Sequence, residues 1–284
     1  MELQLHPNSP TLHSWVIELG AGARGKIPAT LSRAIHAQVM NWLRLGSPAI
    51  ADHIHTLQIS PFSLSGLIGN RRQGKTQPGD RFLIRVSLLD DSLVQPLLTG
   101  FEQWGNQAII WGKFPFVLRQ VYTLPGTHRL SGSTSYEVLS QTPVLGESLT
   151  LEFLSPTSFK QTDGIQTFLL PELVFGSLWR RWNHFAPEKL QLSAQNWQGK
   201  VSAYELKTHA LKMESGGEIG AQGWVKYRFS DAQQMKMAMI LAQFAFFSGV
   251  GRKTSMGMGQ ARFRPDLTPD QSIKPLLNSE TTEQ

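Results

Sequence analysis

Hydrophobic positions along the chain fall into short alternating runs separated by longer stretches of helical spacing. His13 to Leu19 places Trp15, Ile17 and Leu19 on one face and predicts a strand. Pro28, a good first-turn residue, predicts a helix to about Leu45, with Gly46 and Pro48 as its stop. Leu57 to Leu64 predicts a strand, Gly69 to Asp80 a polar, basic loop, and Arg81 to Leu89 a strand with Phe82, Ile84 and Val86 on one face. Asp91 to Trp104 follows as a helix and Gln107 to Tyr122 as one or two strands. The pattern then recurs. Ser148 to Leu154 predicts a strand, Pro171 to Phe185 a helix, and Lys200 to Leu211 with Ile219 to Phe229 a hairpin around ESGGE. Ser230 opens a helix to Phe247, with Gln233 in a capping-box position, and Gln260 to Phe263 is the last strand.

Each half reads β-α-β-β-α-β, so the predicted class is α+β with two tandem ferredoxin-like (RRM-like) units. The expected boundaries are 1–145 and 146–264, with the seam near Gln141 to Gly146. The polar segment 265–284 has no periodicity and is expected to be disordered.

Composition narrows the partners. The 284 residues include no cysteine, which excludes disulfides, a thiol nucleophile and a thiolate metal site. No apolar run approaches the roughly 20 residues that span a bilayer, and no signal peptide is evident at the N-terminus. The expectation is a cytoplasmic chain with no membrane partner. The net charge of +6 divides into +4 for 1–145, +5 for 146–264 and −3 for the last twenty residues. A basic surplus in both folded halves points to a polyanion, most often nucleic acid.

The segment FFSGVGRKTSMGMGQARF carries the most information. Gly249, Gly251, Gly257 and Gly259 bracket Arg252 and Lys253 directly after an apolar helix. Glycines that permit positive φ, with two cations beside them, predict a nest of exposed N–H groups for an anion. A nucleotide P-loop is excluded. Phe246 stands where that motif needs its first glycine, and the helix precedes the loop instead of following it.

Among the histidines, His36 falls off the apolar stripe of its helix (Leu31, Ile35, Val39, Trp42, Leu43), on a face with Arg33, Met40 and Arg44. An imidazole among guanidinium groups is placed for acid–base work beside a phosphate. His53 and His55 form an H-x-H pair expected at the start of a strand, where both rings would share a face. They are second candidates for catalysis, and weak ones for a metal because a third ligand is lacking. Arg71, Arg72, Lys75 and Arg81 crowd the loop GNRRQGKTQPGDR and suit a phosphate backbone. Arg180, Arg181 and His184 are assigned to the polar face of their helix. The chain contains neither a G-x-S-x-G elbow nor an evident carboxylate pair, and no cofactor is expected.

This layout resembles the RAMP superfamily of CRISPR-associated proteins and, within it, the Cas-six family of endoribonucleases. GVGRKTSMGMG resembles that family's glycine-rich loop, SPTSFK followed by PELVFGSLWRRWNHF resembles its second half, and His36 stands in the first helix. The resemblance implies a metal-independent endoribonuclease that cuts CRISPR repeat RNA by 2′-hydroxyl attack, leaving a 2′,3′-cyclic phosphate. It implies His36 as the catalytic residue, with Arg33 or Lys253 stabilising charge. It also implies that the glycine loop, with Gly249, Gly251, Arg252, Lys253, Gly257 and Gly259, contacts RNA, and the basic loop adds Arg71 and Arg72 to the expected contacts. Other CRISPR effector subunits and a homodimer stay open as partners. So do two other functions: a non-catalytic RAMP subunit that holds guide RNA, and a ferredoxin-like protein binding a small phosphorylated ligand.

Overall fold

The structure, a computed structural model, describes residues 11–71, 75–213 and 216–265. The chain begins with β1 (Thr11–Ala21), α1 (Ser32–Gly46), α2 (Pro48–Thr56), β2 (Phe62–Leu64) and β3 (Arg81–Leu88). It continues through α3 (Val94–Trp104), β4 (Ala108–Trp111), β5 (Phe114–Tyr122), β6 (Gly132–Ser135) and a one-turn helix, α4 (Tyr136–Ser140). The first sheet has the order β2-β3-β1-β5-β4, with β6 pairing the start of β1. All its pairings are antiparallel.

The second set comprises β7 (Ser148–Thr157), the small hairpin β8 (Phe159–Gln161) and β9 (Gly164–Gln166), and α5 (Pro171–Phe185). It ends with β10 (Lys200–Met213), β11 (Gly216–Arg228), α6 (Ala232–Ser248) and β12 (Ala261–Arg264). Its sheet has the order β10-β11-β7-β12. Both sheets thus show the antiparallel order of a ferredoxin-like unit, in which the first strand lies between the third and the fourth.

Four local expectations are corrected. The first helix begins at Ser32, not Pro28, where its buried stripe from Leu31 and Ile35 begins. Pro48 does not only stop that helix. A missing N–H costs nothing at a first helical position, so Pro48 opens α2, with Ser47 accepting from the Ile50 N–H. The strand expected from Leu57 shrinks to Phe62–Leu64. In α6 the cap is Asp231, which accepts from the Gln234 N–H at 2.7 Å, so the Ser230–Gln233 box is displaced by one residue. The tail 266–284 and Glu214 and Ser215 of the ESGGE turn lie outside the described residues.

Two hydrophobic clusters form the core, one in each half; α6 belongs to the second and also contacts β1, β2 and β3 of the first half. It is apolar nearly all round, which suits a helix covered on several sides. Leu12 and Leu89 of the first half pack into the second cluster. Polar ties reinforce the junction. Arg85, fully buried on β3, donates to the Phe246 carbonyl at 2.9 Å and to Gln260 Oε1, and lies over the Phe246 ring. Gln260 Nε2 donates in turn to the Leu64 carbonyl at 2.9 Å. Ser63 Oγ donates to the Phe247 carbonyl at 2.7 Å. These bonds hold the glycine loop, which follows α6, against β2.

Candidate nuclease site

Around Gly249, Gly251 and Gly259 the glycine loop is closed by its own hydrogen bonds, and the N–H groups of these three glycines do not form the predicted nest. After α6 ends, the Gly249 N–H bonds Ala245 O, the Gly251 N–H bonds Ser177 Oγ, and the Arg252 N–H bonds Ser158 O. The Gly259 N–H bonds Pro156 O. Donors used in this way cannot cradle a phosphate. Glycine is required for a different reason. At Gly251 (φ 78°) a Cβ would stand 2.4 Å from Ser158 O, and at Gly259 (φ 71°) it would stand 2.0 Å from Val250 O. Gly257 pairs with Ser65 in a parallel bridge to the first half. Gly251 and Gly259 thus fold the loop tightly.

Lys253, itself left-handed at φ 56°, leads into the single turn Thr254–Met256. Against that turn lies His36. Its Nδ1 is 3.1 Å from the Ser255 carbonyl. A carbonyl can only accept, so Nδ1 carries the proton and Nε2 holds the lone pair. The Phe62 ring packs 5.6 Å away, centroid to centroid. Burial lowers the His36 pKa and His55 lowers it further, while the Ser255 carbonyl opposes them. The result is a half-buried, oriented imidazole that stays neutral below the ordinary histidine range.

Beside it opens a cleft of about 290 Å³. Arg180, Arg181, Arg252 and Lys253 line it, with Gln58, Ser60, Ser177, Thr254 and Ser255 among the remaining walls. Arg181 is not on a solvated polar face, which corrects that assignment. It lies on the buried stripe with Val174 and Leu178, donates to Thr254 Oγ1 and to the Ser60 carbonyl, and is pushed down to about 10 by burial. It remains cationic at neutral pH and braces the Thr254–Met256 turn. The spacing 174, 178, 181 carried this signal, although the two adjacent arginines suggested one exposed face.

Arg252 and Lys253 both bond Glu218 on β11, which holds that carboxylate below its ordinary range. Sequence reasoning gave no warning of this, because Glu218 is 34 positions from Arg252 and only the hairpin's path brings it near.

The remaining candidates are more dispersed. Arg33 is exposed on α1, one turn before His36. Arg44 pairs with Asp52 at 2.9 Å. Arg71 donates to the Pro28 carbonyl at 3.2 Å and so braces the approach to α1, while Arg72 lies outside the described residues. Arg81 pairs with Glu18. His53 and His55 lie on α2, not on a strand, and both are exposed. Successive odd positions on a helix diverge, so the pair does not share a face. Among the described residues no three His, Cys, Asp or Glu side chains stand together as metal ligands. None of the described helices is long and apolar enough to cross a membrane.

Comparison with known proteins bears on the fold and the family. The sequence profile of CRISPR-associated endoribonuclease Cas6 matches residues 151–261. No curated protein matches the chain. Among solved structures, a product complex of Thermus thermophilus Cas6 is 26% identical, with a TM-score of 0.77 and coverage of 89% of this chain and 99% of that one. A product complex of a second Cas6 is 28% identical, with a TM-score of 0.72 and coverage of 90% and 100%. The second protein is also known in complex with a substrate mimic (27% identical, TM-score 0.68, coverage 89% and 99%) and as a histidine-to-alanine mutant.

Proposed function

We propose that this chain, which belongs to the Cas6 family of CRISPR-associated endoribonucleases and has the RAMP fold, cuts CRISPR repeat RNA without a metal ion. His36 Nε2 takes the proton of a 2′-hydroxyl, and that oxygen bonds to the adjacent phosphorus as the bond to the 5′-oxygen breaks. The products are a 2′,3′-cyclic phosphate and a 5′-hydroxyl, whose proton comes from water or from the imidazolium just formed. Arg33 and Lys253 oppose the extra negative charge of the phosphorane.

The observation that carries this reading is the bond between His36 Nδ1 and the Ser255 carbonyl. It fixes the tautomer a general base needs, at the edge of a cleft lined by four cations. The test is incubation of repeat RNA with the protein in EDTA, followed by analysis of product ends. Cyclic phosphate termini are expected, together with complete protection by a single 2′-deoxy nucleotide before the cut. Loss of cutting in EDTA with recovery on adding Mg²⁺ would refute the internal-hydroxyl mechanism.

A further inference from the structure

We propose that the cleft between α5 and the glycine loop is a second phosphate site, receiving an RNA phosphodiester next to the scissile one, with Arg180 as its contact residue. The inference rests on the reading of the chain as a repeat-RNA nuclease and adds a subsite to it.

Four cations border this cleft, and their partners differ. Arg252 and Lys253 are bonded to Glu218, and Arg181 is bonded to Thr254 and Ser60. Arg180 is exposed at the end of the same wall and has no hydrogen bond or ion pair among the described residues. Among the described residues no carboxylate lines the cleft itself. A concave wall of guanidinium groups attracts an anion, and a planar fork left without a partner suits the two non-bridging oxygens of a phosphodiester. Ser255 fixes where that phosphate lies along the strand. Its carbonyl meets His36 and the residue lines the cleft, so a strand with one phosphate at His36 passes a neighbouring phosphate into the cleft. Arg181 beneath is a positioning residue: it holds Thr254, and with it the turn that both subsites share.

The experiment uses the full chain and a set of repeat RNAs blocked at the cut by 2′-O-methyl. In each RNA one phosphodiester near the cut is replaced by an uncharged methylphosphonate that follows a 2′-O-methyl nucleotide. Affinities are measured for the wild type and Arg180→Ala. Arg180 is exposed and alanine favours helix, so the variant is expected to fold. In the wild type one linkage flanking the cut should carry a several-fold penalty. In Arg180→Ala that penalty should vanish at this linkage and persist at the others. The slope of log K against log salt should flatten by about 0.7, the share of one single-strand contact. Wild-type affinity and slope in Arg180→Ala, with every penalty retained, would overturn the cleft while leaving nuclease activity standing. A wild type that binds none of these RNAs would overturn the broader reading as well.

Discussion

His36 and Ser255 stand 219 positions apart, and the His36 Nδ1–H donates to the Ser255 carbonyl across 3.1 Å. The bond links the first helix to the glycine loop, which no local signal in the sequence connects. If this imidazole is the base, His36→Ala should lower the single-turnover cleavage rate by about 10²- to 10⁴-fold, the usual contribution of acid–base catalysis. Binding of uncut RNA should change little. His53→Ala and His55→Ala, on exposed positions of α2, should each cost less than about tenfold. A near-normal rate for His36→Ala would place the base elsewhere.

The main strands and helices of both halves were legible in the sequence because strands alternate and helices repeat at their own period, whereas the short α2, β6, α4 and the β8–β9 hairpin were not. α5, the hairpin of β10 and β11, and the closing strand followed from these periods. Long-range ties were not legible. Glu218 pairs with both Arg252 and Lys253 because a hairpin folds back, and Arg85 is buried between halves although its strand pattern reads as amphipathic. In the sequence the glycines read as an anion nest, and the structure adds a steric requirement at Gly251 and Gly259. Their spacing reports tight packing against Ser158 and Val250, and a sequence alone does not distinguish that from an open anion nest.

The pH dependence of cleavage should reflect the surroundings of His36. Burial makes the imidazolium less favourable, so the neutral base persists below the ordinary value of about 6.5. The acid limb of the rate profile, measured with subsaturating RNA, should therefore lie below pH 6.5. Replacing His55 by alanine removes a charge that lowers the pKa, so the limb should move upward. The same shift affects stability. The unfolded chain binds this proton more readily, so stability is lost as pH falls through about 6.5, and His36→Ala should flatten that loss. A wild-type limb above pH 7 would contradict the assignment.

Gly259→Ala should destabilise the whole loop. The position has φ 71°, and the added Cβ would meet the Val250 carbonyl at 2.0 Å, so both backbone conformation and space oppose the side chain. The expected cost is about 2 kcal/mol or more, seen as a lowered Tm. Gly66, whose added Cβ would meet nothing within 4 Å, is the control and should tolerate alanine with little change. Equal Tm values for the two variants would mean that the loop has room its packing denies.

Glu218 sets the resting charge of the loop. Its carboxylate bonds both Arg252 and Lys253, so an arriving phosphate must compete with it for the same donors. Glu218→Gln keeps the size and a carbonyl acceptor but removes the charge. RNA binding should strengthen, most clearly at low salt where unscreened cations count most. If both cations then engage phosphates that they engage only weakly in the wild type, the slope of log K against log salt should steepen by as much as about 1.4, at roughly 0.7 per contact. Arg252→Ala with Lys253→Ala should move the slope the opposite way, and adding Glu218→Gln to that pair should have no further effect. Acid should mimic the substitution. Because the two cations hold the Glu218 pKa down, its stabilising contribution persists above the ordinary glutamate range and is lost as pH falls through the lowered value. Weaker RNA binding by Glu218→Gln, with the fold intact, would show that the carboxylate's role is to orient the two cations for RNA, not to compete with it.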